Sequence, residues 1–319
     1  MELRNQNIVC LSSQDYEDLW TRKQRWMTRL ARNNRIFWVN LQMHVVTYFR
    51  KFPQTWRRLS NISPRRLDER LWVYTPPITL PGFQMSKALC RAHNIVLNRL
   101  LRYHLARRGF THNILWLYTP YNAYQIGRLY DFRRVYECVD DFSAARGLIT
   151  AAVVDHLESA TLKKVDQVIV TSDRLADKFK GRSSNLLLSH NAADFDHFNQ
   201  ASIDTLPTAE ELRDIEGPVI GFLGSISYWV DIDLIVELAG KRRDWTFVLI
   251  GPVRTDLRRL RGLPNVRILG ERPYEELPRY LKRFDVCLNP YKNDGIAAGA
   301  SPLKLYEYLA SGKPVVSSD

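Results

Sequence analysis

The sequence holds no run approaching about 18 consecutive apolar residues, the length a membrane-spanning helix needs. Its start, MELRNQNIVCLSS, lacks the apolar stretch and small-residue cleavage site of a signal peptide. Cysteine is scarce. Four occur in 319 residues, at Cys10, Cys90, Cys138 and Cys287, with no C-x-x-C pair. That spacing argues against a disulfide framework and against a cysteine-built metal site. Cys10, Cys138 and Cys287 each sit in an apolar, strand-like run, which suits buried, reduced thiols of a cytoplasmic protein. The histidines show no metal-ligand spacing, and no P-loop or nucleophile elbow is present. No RNP, KH or zinc-finger pattern occurs either, so no nucleic-acid partner is expected.

Acidic residues are few in the first half. Residues 1–150 hold 24 Lys+Arg against 10 Asp+Glu, a net of +14, whereas residues 151–319 hold 22 against 24, a net of −2. The whole positive excess therefore lies in the first half. Such asymmetry points to an anionic partner there, with a membrane surface or a phosphorylated substrate ahead of nucleic acid.

What is present is enough for a packed core, with 45% hydrophobic and 11% aromatic residues. The length suggests about two domains. Short apolar runs alternate with helical patterns. Strands are expected at Asn7–Ser12, Arg35–Leu41, Leu71–Tyr74, Asn113–Tyr118, Arg134–Val139, Gln167–Thr171 and Asn185–Leu188, and helices at Arg22–Asn33, Ser86–Arg108 and Val153–Lys164. The runs are continuously apolar, as in parallel sheets covered on both faces. Near Asn199–Gly217 the pattern lapses into a polar stretch, and then the βα rhythm restarts at Val219–Leu223. The expected organisation is an α/β fold of two doubly wound domains, 1–200 and 217–319, joined by a linker at 201–216. The chain stops just past a strand at Pro314–Ser317, so the second domain is expected to be incomplete.

Four constellations could carry chemistry. Gly221–Ser227 (GFLGSIS) is a strand entering a glycine turn, where Gly224 and Ser225 can offer backbone N–H groups to a phosphate, or a tight βα turn that binds nothing. Ser301–Val316 (SPLKLYEYLASGKPVV) reads as a helix capped by Ser301, started by Pro302 and stopped by Gly312. Its first turn at Leu303–Lys304 makes an anion site. Glu307, three residues beyond Lys304 on the same face, can accept two hydrogen bonds from a ribose diol, or forms a surface i,i+3 ion pair with Lys304. Asp140 and Asp141 follow a strand at the ligand-facing edge of the first sheet, where paired acids serve acid–base work, cation binding or helix capping. Arg22, in the segment after the first strand, presents a planar fork suited to phosphate, or is a solvated surface residue.

SPLKLYEYLASGKPVV resembles the donor-binding motif of GT-B retaining glycosyltransferases of family 4. The likeness runs on through GFLGSISYWVDIDLIVELA, FVLIGP and LPNVRILGERPYEELPRYLKRFDVCLNPY, together nearly all of residues 217–319. It continues more loosely in VYECVDD, in the pattern marked by Glu158, Asp166 and Ser172, and in HNAADFDHF. The nearest branch contains teichuronic acid and exopolysaccharide glycosyltransferases. The resemblance implies two Rossmann-like domains facing a cleft, a nucleotide-diphosphate sugar (UDP- or GDP-linked) on the second domain and an acceptor on the first. It further implies retention at the anomeric carbon and no metal or other cofactor. By position, Glu307 would hold the ribose, while Gly224, Ser225, Ser301, Leu303 and Lys304 would surround the diphosphate. Arg22, Asp140 and Asp141 are the expected catalytic residues. The acceptor would be a glycan or lipid-linked glycan, met at the inner face of the plasma membrane.

Departures from the family pattern are also visible. Gly299 stands where a Glu is usual, with Asn293 or Asp294 as substitutes, and the Arg and Lys usual after the phosphate loop are replaced by Ser225, Ser227 and Trp229. These departures keep two alternatives open: an inactive or truncated homologue that only binds a partner, and a GT-B-like nucleotide-sugar epimerase or hydrolase.

Overall fold

The computed structural model describes residues 3–18, 20–41, 63–76, 87–143, 151–292 and 301–318. The chain divides into two compact units, Met1–Ser189 and His190–Asp319. In the first, the described residues form an eight-stranded sheet of β1 (Asn7–Leu11), β2 (Arg35–Val39), β3 (Arg65–Asp68), β4 (Leu71–Tyr74), β5 (Asn113–Leu117), β6 (Asp131–Cys138), β7 (Gln167–Val170) and β8 (Leu186–Leu188). The order is β3-β4-β2-β1-β5-β6-β7-β8, parallel except for the β3–β4 pair. The helices are α1 (Arg22–Ala31), α2 (Lys87–Ala106), α3 (Ala151–Leu162) and α4 (Asp173–Phe179).

The strands feed two cores because successive side chains leave a strand on opposite faces. Val9, Leu11, Leu115 and Leu117 pack on one face with Leu97, Leu101 and Leu105 of α2. Ile8, Cys10, Ile114 and Trp116 pack on the other with Met27 and Ala31 of α1. β5 is buried throughout, as a strand covered on both sides must be. β3 was not expected from sequence. Its residues, RRLD, are all exposed, so this antiparallel edge strand carries no apolar run to betray it.

The second unit holds α5 (Phe195–Phe198), β9 (Val219–Leu223), α6 (Ile232–Lys241), β10 (Thr246–Ile250), α7 (Arg258–Arg261), β11 (Val266–Gly270), α8 (Leu277–Arg283), β12 (Val286–Asn289), α9 (Leu303–Ala310) and β13 (Val315–Ser317). Its five described strands are all parallel, in the order β11-β10-β9-β12-β13. Helix α7 is short, and the Asp256 carboxylate accepts the Arg258 N–H at its start at 3.0 Å. The boundary also differs from the one expected. Phe198, Ala201, Ala209, Leu212 and Ile215 are buried in one core with Val219, Val248, Tyr280 and Leu281. Residues 190–216 therefore fold with the second unit, and their polar surface hides short 3-10 turns around these apolar anchors.

Each sheet reverses its strand order beside its first strand, between β1 and β5 in one unit and between β9 and β12 in the other. Ligands of open parallel sheets bind at the carboxyl ends of the strands flanking such a reversal. Those two edges are where the functional candidates fall.

Candidate functional site

In the second unit, β9 runs directly into Gly224, whose φ is +141°, and β10 into Gly251, whose φ is +137°. L-residues rarely adopt either conformation. The two turns lie backbone to backbone. A Cβ on Gly251 would sit 2.1 Å from the Gly224 carbonyl oxygen, and a Cβ on Gly224 would sit 1.9 Å from Lys304 Cε. Hydrogen bonds fix the pair, with the Gly224 N–H donating to Ile250 at 2.7 Å and the Ile226 N–H to Pro252 at 2.9 Å.

Helix α9 is pinned over the same edge. The fully buried Tyr308 hydroxyl accepts the Leu223 N–H at 2.8 Å and donates to the Leu223 carbonyl at 3.3 Å. Burial pushes this phenol well above its ordinary pKa, so it stays a neutral hydrogen-bonding group. Near the start of α9, Lys304 Nζ donates to the Tyr291 hydroxyl at 3.0 Å, just beyond β12. The ammonium also lies 5.5 Å from the centre of the Phe222 ring. The Ser225 hydroxyl is buried without a hydrogen-bond partner. Glu307, half-buried, follows Lys304 on α9.

Ser301 does not cap α9 as expected. The cap position is Pro302, with no side-chain cap, and the Ser301 hydroxyl pairs instead with the Tyr306 hydroxyl at 3.1 Å. The Ser301 carbonyl accepts a hydrogen bond from Asn191 Nδ2. The helix N-terminus is thus left without a side-chain acceptor beside a cation, a glycine turn and an orphaned hydroxyl. Those are the components that bind an anion such as a diphosphate. Asn293, Asp294 and Gly299 lie outside the described residues.

At the reversal in the first unit, a buried polar centre forms that the sequence did not announce. Glu137, on β6, is fully buried. It accepts Arg22 Nε at 2.5 Å on one oxygen and Trp116 Nε1 at 2.7 Å on the other. Arg22 also donates to the Ser189 hydroxyl at 3.0 Å. Lys23 is 7% exposed and donates to Gln14 Oε1 at 3.3 Å. Burial lowers its pKa, against the opposing pull of Asp140 and Glu137. Tyr118 and Cys10, both fully buried, are pushed upward by the same burial, with Glu137 adding to it.

Arg22 is thus occupied by a carboxylate rather than displayed to solvent. Asp140 is exposed. Asp141 faces Lys178 of α4 at 2.8 Å and the Ser143 hydroxyl at 2.7 Å. Lys178 in turn reaches the fully buried Glu158 of α3 at 3.1 Å. Burial raises the Asp141 pKa, but the hydrogen bonds from Lys178 and Ser143 outweigh it and leave the carboxyl below its usual range. A lowered carboxyl stabilises the fold above about pH 4, and that contribution is lost as pH falls through the folded value. Asp141→Asn is accordingly expected to flatten the acid-unfolding curve below about pH 4. Coincident wild-type and variant curves, followed by circular dichroism, would refute the pairing.

Among the described residues no group of three or more His, Cys, Asp or Glu is placed to hold a metal ion. Cys10, Cys138 and Cys287 are buried free thiols. No described helix is long and apolar enough to cross a membrane.

Two doubly wound α/β units, each with a strand-order reversal beside its first strand, match the GT-B fold. Residues 217–319 match the family Glycosyl transferases group 1. The chain is 30% identical over 210 residues to a Bacillus subtilis protein named for teichuronic acid biosynthesis, glycosyltransferase TuaH. That match takes in 61% of this chain and 52% of TuaH, so the chain spans about half the length of this relative.

Among solved structures, sucrose-phosphate synthase of Thermosynechococcus elongatus aligns over 98% of this chain and 81% of its own, with a TM-score of 0.66 at 14% identity. HepE of Anabaena, in complex with UDP and glucose, aligns over 97% and 80%, with a TM-score of 0.56 at 13% identity. These likenesses show the fold.

Gly251, Tyr291 and Tyr308 join the candidates of the second unit, and Glu137, Trp116, Lys23 and Tyr118 those of the first. Glu137 had one signal in the sequence, a carboxylate inside the apolar run VYECV. A buried charge there requires a cation, and Arg22 supplies it.

Proposed function

We propose that the chain transfers a sugar from a nucleotide-diphosphate sugar, UDP- or GDP-linked, to a glycan or lipid-linked acceptor, with retention at the anomeric carbon, in cell-surface polysaccharide synthesis. The observation that carries this reading is the edge of the second sheet. There an uncapped helix N-terminus, the Lys304 ammonium, the Gly224 turn and the orphaned Ser225 hydroxyl converge within a segment that matches the Glycosyl transferases group 1 family. The name of the Bacillus subtilis relative and the UDP in the HepE complex support it.

In this reading Leu303, Lys304, Gly224 and Ser225 hold the diphosphate, Ser301 shapes the entry to the helix, and Glu307 holds the ribose hydroxyls. Bond cleavage at the anomeric carbon leaves negative charge on the diphosphate. A fixed ammonium and oriented N–H groups stabilise that charge without rearranging. The first unit receives the acceptor, with Asp140 the exposed carboxylate at its sheet edge. Arg22 acts there through Glu137, and Asp141 through Lys178.

Binding of UDP, GDP and ADP, measured by calorimetry and thermal shift, tests the donor site. One nucleotide is expected to bind, and Glu307→Ala to weaken it about tenfold to a hundredfold. That is the cost of losing hydrogen bonds to a charged acceptor, about 1.5–3 kcal/mol. The unliganded variant should melt with the wild type. Wild-type affinity in Glu307→Ala would remove the ribose assignment, and no binding of any nucleotide would remove the reading.

A further inference from the structure

No Asp or Glu occurs between Glu69 and Asp131, a stretch that carries eight Lys and Arg. Helix α2 lies inside it. One side of α2 is anchored in the core by Leu97, Leu101 and Leu105. The opposite side shows Ala92, Ile95, Val96, Arg99, Arg102 and Tyr103, recurring at three- and four-residue spacing as one helical face. Ile95, Val96 and Tyr103 are 46%, 56% and 53% exposed. The face thus mixes aliphatic, aromatic and cationic side chains and has no acid. Tyr124, also exposed, adjoins it, since the Asn98 amide donates to the Tyr124 carbonyl at 3.3 Å. Arg107 donates to the Tyr103 hydroxyl at 2.8 Å, and the Arg102 guanidinium lies 4.9 Å from the Tyr130 ring.

We infer that this face of α2 is a docking surface for an anionic lipid bilayer. Aliphatic side chains enter the boundary between headgroups and chains, tyrosine sits at the headgroup level, and arginine stems lie along the apolar zone while their guanidinium groups meet lipid phosphates. A nucleic acid would use the arginines and leave Ile95 and Val96 without a role. A second copy of the same face would bring arginine against arginine, which opposes association. The chemistry that satisfies both halves of the face is a negatively charged lipid surface.

Co-sedimentation of the full chain with vesicles tests it. Binding is expected to vesicles of phosphatidylcholine containing phosphatidylglycerol, to fall with added salt, and to be absent with phosphatidylcholine alone. The double substitution Arg99→Gln/Arg102→Gln should weaken it roughly thirtyfold, at about fivefold per arginine held near the membrane surface. Ile95→Ser/Val96→Ser leaves the charge unchanged and should weaken it as well. Equal binding to both vesicle types, indifference to either double substitution, or retention by duplex DNA without vesicle binding would each overturn the inference.

All four positions are exposed, so the melting temperature should not move. Nucleotide affinity is a separate readout and should also be unchanged. Its absence throughout would count against the donor site while leaving the vesicle result standing.

Discussion

Glu137→Ala is expected to destabilise the first unit by about 3–5 kcal/mol, the usual cost of stranding one member of a buried ion pair. The carboxylate is fully buried and receives two short hydrogen bonds, from Arg22 and from the Trp116 indole. Alanine removes both acceptors at once. Arg22 keeps its contact with Ser189 but loses this carboxylate in a site only 13% exposed. The indole N–H, inside the sheet, is left with nothing in place of the carboxylate. For a unit of this size the loss corresponds to a drop of roughly 10 °C in melting midpoint.

Glu137→Gln separates charge from shape. It retains a carbonyl acceptor and should cost less. The pair Arg22→Met/Glu137→Leu replaces both charges with apolar bulk and should recover most of the loss, because a buried ion pair stabilises little over a well-packed apolar equivalent. A Glu137→Ala protein that melts with the wild type would mean that this pair does not hold the sheet edge together. Full recovery by the apolar pair, accompanied by loss of transfer activity, would assign the charges to function rather than to the fold.

The same residues show what the sequence could convey. Strand positions were legible because a parallel sheet covered on both faces demands unbroken apolar runs, as in NILWL of β5 and VIGFL of β9. β3 escaped because an exposed edge strand needs no such run. Residues 201–216 read as a linker because their surface is polar, while Ala201, Ala209, Leu212 and Ile215 are spaced too irregularly to reveal that they are buried.

Lys304 and Gly224 were legible as members of motifs, and the structure brings them into direct contact. Arg22 was legible as a cation but not as the partner of Glu137, because that pairing joins residues 115 positions apart. Long-range partners are fixed by strand order. No local pattern specifies that the carboxyl ends of β1 and β5 lie beside that of β6.

Gly251→Ala is the substitution expected to do most damage to donor binding. Its new Cβ would lie 2.1 Å from the Gly224 carbonyl oxygen and 2.6 Å from the carbonyl carbon. Those are backbone atoms tied into the neighbouring turn, so no side chain can swing aside. The left-handed φ adds about 1–3 kcal/mol of strain. The Gly251 N–H also donates to Gly270 at 2.8 Å, so the turn cannot retreat without breaking a further bond. Nucleotide affinity should therefore fall by at least about a hundredfold, equivalent to about 2.8 kcal/mol, with the melting of the second unit lowered as well.

Gly224→Ala presents the contrasting case. It carries the same left-handed strain, but its Cβ meets the flexible end of Lys304, which can rotate away, so it should cost the fold less than Gly251→Ala while the cation leaves the site. If that is how it acts, Gly224→Ala should add little to the binding defect of Lys304→Ala, since both remove the same ammonium. Additive losses would show that the turn itself contacts the donor, independently of Lys304. Gly240→Ala is the control. Nothing lies within 4 Å of its Cβ, its position is helical, and it should bind nucleotide as the wild type does. A Gly251→Ala protein with the affinity of that control would mean that the β9 and β10 turns are not the donor site.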